Sequence, residues 1–438
     1  MALDLVGRWN AECFDGRLSG AVLDFLKGVE DERPEVREFV DRAFRLMKLA
    51  RFRAEDVSPA LGWALGSMLP RILPGAWGGM VPPITVAGRH VRIDDYVAAA
   101  SRRPSASYLD LGCGFPPLTT VDTAERFPNF QVLGADPSFG RYLVYDAAGD
   151  YACFADDGSP RYFQAGAQDL ARLDALHRDH VATRRHFAGL LEALRPALPE
   201  HDDGAFSSAE RDGCRLDRNP IRQFERPNLG FRQGGLLSLE AAPESFDVAR
   251  CFNVLVYYDR AFREKALNWV GRLIREGGLL LTGMNWARST LSRYRVYRKE
   301  GGRLVPKEFA LSIDNLRPLG LVQVFALHDD DEEAPALARV IGALRADESF
   351  RADYDAAIDR LFEQHGLVTR QADGYIGDPN PDLPPAERER AAEAIERALD
   401  EAGFVDRAAE LLRDLGLRAW RNPVGHLAID PAVLGGEP

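Results

Sequence analysis

Asp110-Leu111-Gly112-Cys113-Gly114 sets a carboxylate two residues before a pair of closely spaced glycines. Glycines at that spacing let backbone approach a ligand closely, and a helix that starts just beyond offers free N–H groups. Asp136 lies about 20 residues further on, where an acid can accept both hydroxyls of a ribose. These side chains need a strand–turn–helix–strand frame. Residues 108–111 read as a short apolar strand, 112–117 as the turn and 118–127 as the helix. Residues 131–135 read as a second strand, ending at Asp136-Pro137.

Two ligand classes use such a frame. A dinucleotide fingerprint wants Gly-x-Gly-x-x-Gly, and the third position here is Pro117. It also seldom carries an acid two residues before the first glycine. S-adenosylmethionine (SAM) has no pyrophosphate but does have a cationic α-amino group and a sulfonium, which suits a carboxylate such as Asp110.

Residues 108–120 and 131–138 resemble the first two motifs of class I SAM-dependent methyltransferases. Phe246-Asp247-Val248-Ala249-Arg250-Cys251-Phe252-Asn253-Val254-Leu255-Val256-Tyr257-Tyr258-Asp259 resembles the fourth-strand motif of that superfamily, with a local likeness to chemotaxis-receptor methyltransferases. Arg275-Glu276-Gly277-Gly278-Leu279-Leu280-Leu281 resembles its fifth-strand entry. The resemblance spans roughly residues 96–138 and 228–327. It implies an α/β fold with a Rossmann-like, seven-stranded, mostly parallel sheet flanked by helices, and S-adenosyl-L-methionine as cofactor. Gly112, Cys113 and Gly114 would lie along the methionyl part, with Asp110 near its amino group. Asp136 would hold the ribose and Pro137 would flank the adenine, while Gly235 and Leu236 would border the adenine edge. Asn253 and Val254 would close over the methyl end, although Asn253 also reads as a strand-end cap. The chain departs from the family at Pro116, where many members have a third glycine, and it lacks an Asn-Pro-Pro-aromatic motif after the fourth strand.

Methyl transfer is an in-line displacement that rests largely on positioning, so a general base is needed only if the acceptor loses a proton. The catalytic residue is therefore left unknown, with Tyr257, Tyr258 and His180 as weak candidates. His177, His180 and His186 sit in an arginine-rich stretch that reads as a solvated helix face, and no metal site is expected.

The rest of the chain is organised around this core. Apolar spacing predicts a helical N-terminal region over residues 1–95, with a loop at 75–83. Residues 139–228 interrupt the core with a hairpin pairing 142–145 with 151–154, followed by a helical stretch at 168–198. Strands are expected at 229–233, 246–252 and 278–282, a helix at 260–275, a hairpin over 294–313 turning at Gly301-Gly302, and a further strand at 321–327.

The chain has 438 residues and a formal net charge of −12. From His328 onward stand 25 Asp/Glu and 12 Arg with no Lys, so the preceding residues are near neutral. That asymmetry predicts a separate acidic, helical C-terminal extension over 328–438, and Asp329-Asp330-Asp331-Glu332-Glu333 reads as an exposed helix start. The five cysteines show no Cys-x-x-Cys pair, which fits reduced thiols in a cytoplasm. No signal peptide and no apolar run long enough to span a membrane is visible.

The expected activity is transfer of the SAM methyl group to an unidentified small-molecule acceptor, with neither nucleic acid nor membrane as partner, and a homo-oligomer left open. The alternatives are a SAM-using enzyme of non-methyl chemistry (cyclisation or aminocarboxypropyl transfer) and a non-catalytic SAM-binding scaffold.

Overall fold

The structure, a computed structural model, describes residues 4–68, 85–101, 103–166, 170–201, 203–322 and 328–434. The expected loop at 75–83 lies outside them. The chain forms two compact units. One comprises residues 71–87 and 103–249, the other 1–70, 88–102 and 250–438.

The first unit holds β1 (Ser107–Leu111), β2 (Gln131–Asp136) and β8 (Leu229–Gln233), with β2 paired in parallel to both others. The Leu118–Arg126 helix joins β1 to β2, because a parallel pair needs a crossover and cannot close through a tight turn. β9 (Phe246–Phe252), buried along its whole length, carries the chain out of this unit.

The insertion contains more strand than expected. It forms a second, antiparallel sheet from β3 (Tyr142–Tyr145), β4 (Tyr151–Phe154), β5 (Pro160–Gln164), β6 (Ser207–Arg211) and β7 (Cys214–Arg218), in the order β5-β4-β3-β7-β6. Helices Leu170–Arg178 and His180–Leu194 account for the predicted helical stretch. Phe187 and Leu191 of the longer helix join Phe154, Phe163 and Leu216 in one core. The β6–β7 hairpin turns at Asp212 and Gly213, both at positive φ, which is the Asp-Gly signature of a two-residue hairpin loop.

In the second unit the strands are β10 (Ile274–Met284), β11 (Arg293–Glu300), β12 (Arg303–Leu311), β13 (Ala419–Arg421) and β14 (Leu427–Ile429). They pair antiparallel: β10 with β11, β11 with β12, β12 with β14 and β14 with β13. The α/β class stands, with a mixed pairing pattern in place of a mostly parallel one. The reason is connection length: Gly301-Gly302, both at positive φ, turns β11 straight back into β12 and leaves no room for a crossover helix.

The acidic segment is helical over Glu333–Ala346, Glu348–Gln364, Pro385–Glu401 and Phe404–Asp414, but it is not a separate module. It shares the second unit with the N-terminal helices and supplies β13 and β14. Arg345 pairs with Asp56 at 2.7 Å, and Arg42 with Asp329 at 2.8 Å. The acidic run from Asp329 is likewise no bare solvated face. Asp330 and Asp331 pair with Arg263, Glu332 with Arg260 and Glu333 with Arg295. Net charge along a sequence thus misjudged this segment, since its acids find arginines elsewhere in the same unit. The strand expected at 321–327 is also absent where described: Pro318–Val322 is a helix, and 323–327 lie outside the described residues.

Candidate nucleotide-binding turn

The turn after β1 is held by main-chain bonds and one carboxylate. Gly112 and Gly114 take φ values of 76° and 65°, a left-handed backbone that side chains with a Cβ resist. The Gly112 N–H donates to the Ala135 carbonyl at 2.8 Å, tying the turn to β2. The Gly114 N–H donates to Asp136 Oδ2 at 2.8 Å. Asp136 Oδ1 accepts from the Ser138 N–H at 2.8 Å and from the Ser138 hydroxyl. Pro117 caps the helix that begins at Leu118, where a missing N–H costs little.

Burial is the main influence on Asp136 and raises its carboxyl above the usual aspartate range. The donors from Ser138 and Gly114 oppose the rise. Every donor named here is uncharged, and no cation pairs with the carboxylate among the described residues.

Asp110 is buried at the end of β1 and accepts from the Thr120 hydroxyl at 2.7 Å. Cys113 is buried in the turn, and its N–H donates to the Ala135 carbonyl at 3.4 Å. Beyond β8, the Gly234 N–H donates to the Asp136 carbonyl. A Cβ on Gly235 would come to 3.2 Å from the Pro137 ring, tighter than an ordinary van der Waals contact, so glycine lets that chain lie close against Pro137. Leu236 follows, partly buried. The first unit thus brings Asp110, Gly112, Cys113, Gly114, Asp136, Pro137, Gly235 and Leu236 onto neighbouring strand ends.

Asn253 and Val254 belong to the second unit. Asn253 has a φ of 57°, a conformation asparagine tolerates better than most residues. Its N–H donates to the Gly283 carbonyl at 2.8 Å, and its Oδ1 accepts from the Asn285 N–H at 3.1 Å. It therefore ties the end of β9 to the end of β10. Val254 is partly buried beside it.

Of the weak catalytic candidates, Tyr257 and Tyr258 belong to the second unit and His180 to the first. Tyr258 is exposed and stacks on Phe262 with ring centroids 4.1 Å apart. Tyr257 accepts from His328 Nε2 at its carbonyl, and burial raises its phenol while Arg89 opposes the rise. His180 begins the Asp179-capped helix and lines a shallow groove with Phe163, Val181, Arg184 and Arg185. The solvated-face reading of the histidines fails for His177, which is buried with its Nε2 at 3.2 Å from the Phe163 carbonyl.

Two residues that hold the turn's acids were missed in the sequence. Ser138 stands two residues after Asp136, the spacing of a local Asx-type turn, and that signal was available. Thr120 carries no such mark, since its partner Asp110 is reached only once the helix has packed on β1.

No family model matches the chain, and no curated protein matches it. Several of the solved structures that the chain is similar to are described as methyltransferases. An O-methyltransferase family protein from Burkholderia thailandensis is 12% identical, over 62% of this chain and 57% of that one, with a TM-score of 0.22. The SAM-bound amino pentose methyltransferase CalS10 from Micromonospora echinaspora is 15% identical, over 52% and 71%, with a TM-score of 0.22. The YcgJ protein from Bacillus subtilis is 17% identical over 45% of this chain, which spans about half (52%) of its length, with a TM-score of 0.21.

Proposed function

We propose that the first unit binds S-adenosyl-L-methionine at the turn after β1 and that the chain transfers its methyl group to a small-molecule acceptor. The observation that carries this reading is the Gly112–Gly114 turn locked onto the Asp136 carboxylate by the Gly114 N–H at 2.8 Å. The residues present fit the group. Left-handed Gly112 and Gly114 place no side chain at two positions along which a methionyl chain would lie. Asp136 is an acceptor held by neutral donors, which suits ribose hydroxyls. Pro137, against Gly235, presents a flat apolar edge suited to adenine. Asp110 supplies negative charge for an ammonium.

When bound, the cofactor supplies an electrophilic methyl on a sulfonium. The chain's own part is to bind and orient. Asp136 sets the ribose end, the glycine turn sets the methionyl end, and positioning supplies much of the rate. A small acceptor suits a sequence that is near neutral before His328 and shows no basic stripe.

Calorimetric titration with S-adenosylhomocysteine tests the reading. Asp136→Ala and Gly112→Val are each expected to abolish measurable binding while circular dichroism stays native. Wild-type affinity in both variants overturns the site. Product analysis then separates S-adenosylhomocysteine, expected for methyl transfer, from methylthioadenosine, which would mark aminocarboxypropyl chemistry.

A further inference from the structure

A cavity of about 280 Å³ lies wholly within the second unit. That is near the small end of ligand pockets, which run from roughly 300 to 1,000 Å³. Its wall is largely apolar, with Leu61, Ile358, Phe362 and Ile376 among the lining side chains.

The polar part of the wall is unusual. Arg345 lines the cavity while only 3% exposed, with its guanidinium 4.9 Å from the centre of the Phe52 ring. Its Nη1 donates to Asp355 at 2.9 Å and its Nη2 to Asp56 at 2.7 Å. Its Nε–H has no hydrogen-bond partner among the described residues. A buried donor of this kind is costly to leave unmade.

The charges lining the cavity do not cancel. Asp56, Asp355 and Asp359 face Arg345, Arg370, Arg317 and Arg388. All three carboxylates are taken by arginines, Asp359 by Arg370 Nε at 2.7 Å. Arg317 lies 5.1 Å over the Phe362 ring, donates to the Asp314 carbonyl at 3.2 Å and feels the Asp314 carboxylate at longer range. Arg388 donates only to the Asn380 and Pro381 carbonyls. Neither makes an ion pair among the described residues.

We propose that this cavity binds a small apolar carboxylate, its hydrocarbon body on the Ile358–Phe362 wall and its oxygens toward Arg345 Nε and Arg317. A cationic amphiphile is disfavoured because every lining carboxylate is already paired. The site is independent of the methyl-transfer reading, since no residue of the β1 turn takes part.

Decanoate is the probe, titrated calorimetrically into the full chain beside decylammonium and decanol. One decanoate per chain is expected, bound more tightly than either control. Leu319→Trp, which alters a lining residue 43% exposed, is expected to weaken decanoate at least about tenfold by filling the cavity. Arg317→Gln should weaken it about threefold through loss of one partly exposed charge. Native circular dichroism is checked for both variants. Absence of saturable heat overturns the proposal, as does equal binding of decylammonium or decanol. Unchanged affinity in Leu319→Trp overturns the location.

Discussion

Asp136 in the first unit and Asp355 in the second are both carboxylates raised above their ordinary range, with burial as the first cause. They are held in opposite ways. Asp136 accepts from two backbone N–H groups and a hydroxyl, all neutral. Asp355 accepts from a guanidinium, Arg345, which also grips Asp56. Neutral donors leave a carboxylate's charge available to a ligand's hydroxyls. A bidentate arginine uses that charge up and turns the carboxylate into structure. The contrast separates a place that can recognise a polar ligand from one where the carboxylates only brace a wall.

The largest expected effect breaks the braced region. Arg345→Ala removes the most buried cation of Asp56 and Asp355, leaving only the more exposed Arg53 and Arg370 beside them, and is expected to cost about 3–5 kcal/mol in urea unfolding. A loss under about 1 kcal/mol would show the cluster to be solvated and the contrast empty.

Next in size is a pH effect in the same unit. The Glu396 carboxyl is raised from 4.5 to about 7, chiefly by burial and then by the Asp314 carboxylate, while Arg92 at 3.0 Å opposes. A raised carboxyl binds its proton more tightly folded than unfolded, so stability falls as pH rises from about 4.5 to about 7. The shift corresponds to about 3 kcal/mol as an order of magnitude. Unfolding midpoints across that window should drop with rising pH in the wild type and flatten in Glu396→Gln. An equal slope in both assigns the dependence elsewhere.

Asp136→Ala should have a smaller effect on stability, about 1–3 kcal/mol, because it strands the Gly114 N–H without leaving a buried charge. Thermal melts of the apo protein check this. A loss as large as that of Arg345→Ala would mean that the turn is itself a structural brace. The smallest effect is expected on the surface. Arg226 pairs with Glu125 at 2.7 Å with both side chains well exposed, so Arg226→Ala should change stability by less than about 1 kcal/mol.

Much of the first unit was legible because its signals are local. The strands at 142–145, 151–154, 229–233 and 246–252 form at their predicted bounds, and the turn from Gly112 does what its glycines require. The β6–β7 hairpin was missed although Asp212-Gly213 marked it. Its strands, Ser207–Arg211 and Cys214–Arg218, are polar and lack the apolar alternation that normally reveals a strand. β13 and β14 are three residues each, too short for any periodicity; β14 pairs on the edge that β12 offers, and β13 pairs on β14.

The residues alone settled the glycine turn, the acid that receives it and the alternation of strand and helix around them, because backbone preference and periodicity act over a few neighbours. Only the folded chain decided that the acidic segment joins the N-terminal helices, that β10 and β14 pair antiparallel with the two arms of the expected hairpin, and that Arg345 meets Asp56 from 289 positions away. Any arginine can pair with any aspartate on paper. Which ones do is set by the apolar faces that bury together, and that choice has no signature in composition or spacing.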